Sequence, residues 1–219
     1  MTIRKGVDWG SAGALDPSAE VVSSDAVAAQ VFQRAIDDGR PFEEIGLLGG
    51  DLHRTLGGPR HEEADLRAGR SMRFPVDLGV VEFEDPTHGS MQLVFVAHLI
   101  ATTPVVARPG GRRPWWRGRT VMAMNAAFAG DANLAPRSHP NDGRIDVLDG
   151  ELDRRDRRQA LRRSPMGAHV PHPALTERRI RELAVHSDVL LDLQLDGVSV
   201  GSAREFTIRC LADAVTVVA

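Results

Sequence analysis

The sequence predicts an α+β protein, in which a short α/β segment precedes an antiparallel β-structure that is a sandwich or an open barrel. Apolar residues follow the spacing of one helix face in 26–38. From Val76 onward, short apolar stretches are separated by turn residues, which is typical of antiparallel strands. We therefore divide the chain into two segments, residues 1–57 and residues 58–219.

The first segment contains one well-marked helix. Ser23–Asp25 offers an N-cap for this helix, and Gly39 fits the position that ends it. Its apolar face is formed by Val27, Val31, Phe32 and Ala35. A short strand in 44–48 and a Gly-rich turn follow, and a second helical stretch begins near Leu52.

The second segment is predicted to consist mainly of strands. The strand candidates are 76–83, 92–101, 120–128, 145–148, 180–185, 189–195, 205–210 and 214–218. Residues 152–163 form a helical candidate, whereas the charged stretch 60–73 is expected on the surface and the prolines in 164–178 indicate a loop. His98 lies in a strand candidate and is predicted to be a core or second-layer residue. Asp196–Gly197 is the strongest short turn signal in the chain.

The composition is that of an ordinary globular protein, which we expect in the cytoplasm. The formal net charge of -3 implies no overall tendency toward nucleic acids or membranes. Cys210 is the only cysteine, so an intrachain disulfide is excluded, and its apolar neighbours favour an inert buried thiol over a nucleophile. The sequence shows no signal peptide and no apolar run of about 20 residues that would span a membrane.

Three segments carry a resemblance to a known family. Residues 46–57, GLLGGDLHRTLG, place a Gly-rich turn and an aspartate before a helix. Residues 125–147, NAAFAGDANLAPRSHPNDGRIDV, contain an Ala-Pro turn followed by Asn-Asp-Gly, and residues 191–200, LDLQLDGVSV, join a strand to an Asp-Gly turn. Together they resemble the bacterial diacylglycerol kinase and sphingosine kinase-like lipid kinases. The resemblance covers about residues 44–219 and implies the antiparallel β-sandwich of the C-terminal half of that family.

The departures from the family pattern lie mainly in the nucleotide-binding half, which is shortened and divergent here. The family's Gly-Gly-Asp-Gly-Thr loop lets backbone amides approach nucleotide phosphates. The corresponding stretch here is Ser23–Ser24–Asp25–Ala26–Val27, which retains only the aspartate. A family threonine is Leu48, a family asparagine is Gly50, and a family glutamate is Val198.

The resemblance implies ATP- and Mg²⁺-dependent phosphorylation of a lipid hydroxyl, with diacylglycerol as the default acceptor. Asp142 would be the catalytic carboxylate that deprotonates or orients this hydroxyl. Gly49, Gly50, Asp51 and Asp25 would contact the nucleotide, and Asp51 would also be a metal ligand. Each carboxylate has a structural alternative, as a turn residue for Asp142 and as a helix cap for Asp25 and Asp51. The alternative function is a catalytically inactive relative that binds a lipid or a nucleotide.

Two arginine clusters suggest peripheral contact with an anionic membrane at the inner face. In the first cluster, arginines surround a tryptophan pair, and the residues assigned to headgroup contact are Arg112, Arg113, Trp115, Trp116 and Arg117. Tryptophan is favoured at headgroup level, and arginine binds lipid phosphates. The second cluster lines the helical candidate 152–163, and a solvated surface is the alternative for both. Nucleic acid is not expected as a partner because no nucleic-acid motif accompanies the arginines, and homo-oligomerisation stays open.

Overall fold

The computed structural model describes residues 9–57, 59, 61–85, 87–104 and 118–219. Within these residues the chain forms thirteen strands and four α-helices. The strands are β1 (Ser11–Ala12), β2 (Val21–Val22), β3 (Ile45–Leu47), β4 (Met72–Asp85), β5 (Gly89–Phe95), β6 (His98–Thr102), β7 (Arg119–Met124), β8 (Phe128–Ala129), β9 (Ala132–Asn133), β10 (Ile145–Glu151), β11 (Leu175–Ile180), β12 (Glu182–Leu195) and β13 (Val198–Val218). The helices are α1 (Asp25–Asp37), α2 (Asp51–Leu56), α3 (Glu63–Arg67) and α4 (Arg154–Arg163), and a 3₁₀ turn, Ser164–Met166, follows α4.

Most of the described strands belong to one sheet, which folds into the predicted sandwich. Its main order is β1-β4-β13-β12-β6-β7-β10-β11, with β5 paired to β4 and with β2 and β3 attached at the end of β13. Neighbours along the main path are antiparallel, whereas β3 runs parallel to both β2 and β13. The mainly antiparallel pairing with few helices confirms the α+β prediction.

Alternate side chains of the central strands enter different cores. Leu99 of β6 and Val121 of β7 lie in the core enclosed by the sheet. Their sequence neighbours Ile100 and Met122 face the opposite way and pack beneath α4 with Ala160. Since successive side chains of a strand point to opposite faces, the sheet is covered on both sides where these strands lie.

The helix predicted in the first segment is confirmed as α1. Ser24 is its N-cap and accepts a hydrogen bond from the amide of Val27 at 3.4 Å. Phe32 lies on its buried face, and Gly39 follows with a φ of 62°, a conformation that glycine adopts readily. None of the helices in the described part of the chain is long and apolar enough to cross a membrane.

The first segment is joined to the C-terminal strand through shared pairing and a shared core. Ile45 and Gly46 of β3 pair with Val217 and Val218 of β13. Phe32 of α1 packs in the same core as Ile45 and Val217. The structure thus shows the contacts between the two segments, while their division at residue 57 stays a prediction.

The structure corrects three details of the predicted second segment, the first being that the candidate 92–101 is divided between β5 and β6. The candidates 180–185 and 189–195 are one strand, β12, and the candidates 205–210 and 214–218 both lie in β13. Each of these long strands contains a register irregularity, which interrupts the alternation that marks a strand in the sequence.

Two elements form where surface or loop was expected. The charged stretch 60–73 includes α3, which is anchored by the fully buried Leu66 and capped reciprocally by Glu62 and Asp65. The expected loop 164–178 overlaps β11, whose four central side chains are exposed and therefore lack an apolar pattern.

Candidate functional site

The two segments predicted to contact a nucleotide are adjacent in the structure. A β-carbon on Gly49 would lie 2.9 Å from the carbonyl oxygen of Ser23, and one on Gly50 would lie 2.5 Å from both carboxylate oxygens of Asp25. Gly50 also has a φ of 107°, which side chains other than hydrogen rarely allow. Glycine is therefore required here because two loops approach each other closely.

The carboxylate of Asp25 caps the N-terminus of α2. Its Oδ2 accepts a hydrogen bond from the amide of Asp51 at 2.5 Å, and its Oδ1 accepts one from the amide of Leu52 at 3.2 Å. Asp25 therefore caps a helix, as the structural alternative predicted, but this helix is α2. The cap of α1, the helix that contains Asp25, is Ser24. Burial, reinforced by the negative charge of Asp196, raises the pKa of Asp25 to about 7.

Asp51 connects α2 to the sheet. Its Oδ2 lies 3.1 Å from Nε2 of His98, and its Oδ1 accepts a hydrogen bond from the amide of Gly130 at 3.0 Å. Burial alone would raise the pKa of Asp51, but the His98 hydrogen bond and the Gly130 amide outweigh it and lower the pKa. Asp51 is thus a half-buried carboxylate that favours its ionised form.

His98 is buried at the start of β6, in line with its predicted place in the core. Burial opposes its protonation, but the hydrogen bond to Asp51 and the charge of Asp196 prevail and raise the pKa of His98. Its Nδ1 is buried without a hydrogen-bond partner among the described residues. The predicted role as a core residue is therefore incomplete, since the ring also pairs with a carboxylate.

Asp196 stabilises the connection between β5 and β6. Its carboxylate accepts hydrogen bonds from the amides of Val96, Ala97 and His98, at 2.8, 2.8 and 2.9 Å. Burial raises the pKa of Asp196, while the charge of His98 and these amides oppose the rise. The sequence identified Asp196 as a turn residue. Its three amide contacts were not predicted, because they join parts of the chain about 100 positions apart and therefore produce no local sequence pattern.

These residues do not fit a resident Mg²⁺ ion. All carboxylate oxygens of Asp25, Asp51 and Asp196 accept hydrogen bonds from N–H groups of the chain. In the described residues no three or more His, Cys, Asp or Glu side chains are grouped to hold a metal ion. Mg²⁺ requires several oxygen ligands in octahedral geometry. Among the described residues, these three carboxylates therefore do not form a set of oxygen ligands for Mg²⁺.

Asp142 lies in a separate group of side chains. Its carboxylate pairs with Arg179, whose Nε also lies 3.5 Å from Oδ1 of Asp146. No hydrogen bond or ion pair of the described residues links Asp142 to Asp25 or Asp51. Burial raises the pKa of Asp146 to about 6, although a hydrogen bond from Ser138 opposes this. The residue assigned to catalysis and the residues assigned to the nucleotide thus belong to two different sets of directly bonded side chains.

A buried polar pair connects the two groups. Asp77 accepts hydrogen bonds from the amides of Gly143 at 2.7 Å and Asp213 at 2.8 Å. Asn125 donates to the carbonyl oxygens of Asp77 and Val96, both at 2.8 Å. Asp77 was not predicted as a site residue, although an acidic residue inside an apolar strand is a signal that the sequence contains.

A groove of about 490 Å³ lies beside the Asp142 group. Its floor is apolar and includes Leu134, Val147 and Leu148, while Arg137 and Arg178 stand at its rim. Neither of these exposed arginines makes an ion pair within the described part of the chain. The groove was not predicted, because residues 134–138 and 167–171 meet only in the folded chain.

The remaining predicted contact residues cannot be placed. Arg112, Arg113, Trp115, Trp116 and Arg117 lie outside the described residues. Their assignment to a membrane surface therefore stays a prediction.

Comparison with known proteins agrees with this architecture. Residues 94–219 match the family described as the YegS C-terminal NAD kinase beta sandwich-like domain. No curated protein matches the sequence significantly.

Solved structures show the same fold at low sequence identity. A candidate diacylglycerol kinase from Bacillus anthracis superposes with a TM-score of 0.62 at 14% identity, covering 90% of this chain and 76% of that protein. A diacylglycerol kinase from the same organism gives a TM-score of 0.53 at 15% identity, with coverages of 80% and 66%. Since the family match spans more than half of the sequence, this chain belongs to the family of the YegS C-terminal NAD kinase beta sandwich-like domain and has a kinase-like fold, which confirms the predicted kinship with bacterial diacylglycerol kinase-like proteins.

Proposed function

We propose that this protein is a lipid kinase relative that binds a lipid or a nucleotide without transferring a phosphoryl group. One observation carries the proposal: the Asp25 carboxylate accepts hydrogen bonds from the first two amides of α2. Phosphoryl transfer depends on phosphate contacts and on a positioned carboxylate. Here the amides beside the Gly-rich turn are occupied by an anion of the chain, and Asp142 is paired with Arg179.

The groove supports a ligand with an apolar body and a phosphate group. Its volume is within the range of small-molecule sites, about 300–1,000 Å³. The apolar floor would contact the body of the ligand. Arg137 and Arg178, which lack ion-pair partners in the described residues, would bind its phosphate, because guanidinium groups match phosphate oxygens in geometry. A phospholipid and a nucleotide share this chemistry.

Calorimetric titration distinguishes the ligands. We expect saturable binding of dioctanoyl phosphatidic acid below its micelle concentration, and no binding of dioctanoylglycerol, which lacks the phosphate. Arg178→Ala should weaken binding about tenfold or more, because a charge-assisted hydrogen bond is lost. Arg181→Ala is the matched control. Arg181 is also exposed and lies three positions after Arg178, but it does not line the groove.

Titration with ATP and Mg²⁺ completes this experiment. If ATP binds and Arg178→Ala weakens this binding, the ligand is a nucleotide. The proposal is wrong if neither phosphatidic acid nor ATP binds, or if both arginine variants weaken binding equally.

A second candidate function is ATP-dependent phosphorylation of a lipid hydroxyl such as that of diacylglycerol. The cluster of Asp25, Asp51 and His98 favours it, because buried groups with shifted pKa values are concentrated at active sites. This function requires Asp25 to leave the α2 amides and Asp142 to leave Arg179 before a nucleotide and a hydroxyl can be positioned.

Transfer of labelled γ-phosphate from ATP to dioctanoylglycerol, in mixed micelles with Mg²⁺, tests this candidate. Under our first proposal the wild type forms no more product than Asp142→Asn. The alternative result is that the wild type forms product and that the rate of product formation falls by a factor of about 100 or more in Asp142→Asn. This result would establish the kinase and refute the first proposal.

A further inference from the structure

Helix α4 carries an unusual concentration of positive charge. Six of its ten residues are arginine, in the sequence RRDRRQALRR. None of these guanidinium groups forms an ion pair with a described residue, and only Arg163 contacts a polar side chain of the helix, the amide oxygen of Gln159. The one acidic residue within α4, Asp156, lies 3.5 Å from His172 instead.

This charge pattern opposes the stability of the helix. Arg154 and Arg155 occupy the first turn, where the partial positive charge of the helix N-terminus disfavours cations. Arg158 lies four positions from both Arg154 and Arg162, and like charges at this spacing repel each other. The cap residue Asp153, which accepts hydrogen bonds from the amides of residues 155 and 156 at 2.7 and 2.8 Å, and Asp156 in the first turn offset part of the charge at this end. The stability of the helix therefore does not explain the arginines at its N-terminal end, whereas Arg162 and Arg163 suit its last turn.

The arginines cover the face that α4 turns away from the protein. Ala160 and Ser164 are buried and mark the inner face. The exposed positions on the other side include Arg154, Arg155, Arg158 and Arg162.

Exposed apolar side chains accompany the charges. Leu161, at the border of this face, is 42% exposed. Met166, in the 3₁₀ turn that follows, is 75% exposed, the largest value among the exposed apolar side chains of the described residues.

We propose that α4 and Met166 form a docking surface for an anionic lipid membrane. Arginines bind lipid phosphates, and unpaired cations near an anionic bilayer are attracted by its surface potential. Leu161 and Met166 supply the apolar contact with the acyl boundary that interfacial helices use. Nucleic acid would also attract the charge, but α4 has no aromatic side chain for stacking on bases, and exposed aliphatic side chains favour lipid. The docking surface does not depend on the proposed ligand of the groove.

Co-sedimentation with vesicles tests the proposal. The wild type should bind vesicles of equal parts phosphatidylcholine and phosphatidylglycerol, and should not bind vesicles of phosphatidylcholine alone. The variant Arg158→Gln/Arg162→Gln should weaken partitioning about 30-fold. The control Arg181→Gln/Arg204→Gln removes the same charge from exposed positions outside α4 and should change partitioning by less than about threefold.

Further variants distinguish membrane docking from its alternatives. Met166→Ser should weaken partitioning several-fold at constant charge. Glutamine is a good helix former, so the α4 variant should melt at the wild-type temperature or higher. Equal losses in both double variants, or equal binding to the two kinds of vesicle, would overturn the proposal. If the α4 variant leaves vesicle binding unchanged and instead weakens binding to a mixed-sequence DNA duplex, the surface binds nucleic acid and the membrane proposal is wrong.

Discussion

At the scale of single residues, the site is organised by carboxylates that accept backbone amides. Asp25 bonds two amides of α2, and Asp196 bonds three amides between β5 and β6. Removing a carboxylate from water is unfavourable unless such donors replace the lost hydration. These contacts hold the turns whatever ligand the protein binds, so Asp25 caps α2 and Asp196 fixes the connection between β5 and β6.

The raised pKa of Asp25 has a consequence for stability. A carboxylate whose pKa is higher in the folded protein than in the unfolded chain makes the fold lose stability as pH rises from the unfolded value of 3.8 to the folded value of about 7. The raised pKa of His98 acts in the same direction near neutral pH. The lowered pKa of Asp51 opposes them only in more acidic solution.

We therefore expect Asp25 to contribute a fall in the free energy of unfolding between about pH 5 and about pH 7, against a rise from His53, His139 and His169, whose pKa values are lowered by burial. In Asp25→Asn this fall should be smaller, because the side chain no longer titrates. Urea unfolding at several pH values measures both. The control Asp188→Asn changes an exposed aspartate and should keep the wild-type slope. An unchanged slope in Asp25→Asn would contradict the assigned pKa.

At the scale of elements, two helix starts and the start of β6, a strand paired on both sides, make up the site. The turn before α1 and the turn before α2 touch at Gly49 and Gly50, where β-carbons would clash with Ser23 and Asp25. The family resemblance implied that the Gly-rich turn contacts a nucleotide. The structure shows that the close approach of another loop is sufficient reason for glycine at both positions.

Substitution of Gly50 tests this packing. Gly50→Ala should destabilise the protein by about 2–4 kcal/mol, because it adds a clash with the Asp25 carboxylate to the strain of a positive φ. Gly39→Ala is the matched control, since Gly39 also has a positive φ but nothing lies within 4 Å of its β-carbon. It should lose only about 1–2 kcal/mol. Thermal unfolding measures the difference, and equal losses would show that the contact with Asp25 is unimportant.

At the scale of the whole molecule, the sheet joins the two segments of the chain. It also carries both groups of polar residues, the one around Asp51 and the one around Asp142. β3 pairs in parallel with the end of β13, so the first segment shares a core with the C-terminal strand. The buried residues Asp77 and Asn125 link the turn that contains Asp142 to the turn held by Asp196. A continuous set of hydrogen bonds therefore runs between the two groups.

The groove and α4 lie next to each other on the same part of the molecule. Gly167 and Val170, which line the groove, follow the 3₁₀ turn that carries Met166. If α4 docks on a membrane, the rim of the groove is brought near the lipid headgroups, where a phosphate-bearing lipid is available. The two proposals remain separately testable, since one concerns a soluble short-chain ligand and the other a bilayer.

The sequence by itself determined the local elements and the kinship of this protein. The periodicity of α1, the Asp-Gly turn at Asp196–Gly197 and the Asn-Asp-Gly segment are short-range patterns, and the fold class and family that they predicted are confirmed. Only the tertiary structure decided which residues meet. Asp25 reaches the amides of α2, Asp142 pairs with Arg179, and the groove forms between distant loops. Such contacts depend on how the sheet curls and on where burial forces polar groups to find partners, and neither is encoded in the spacing of neighbouring residues.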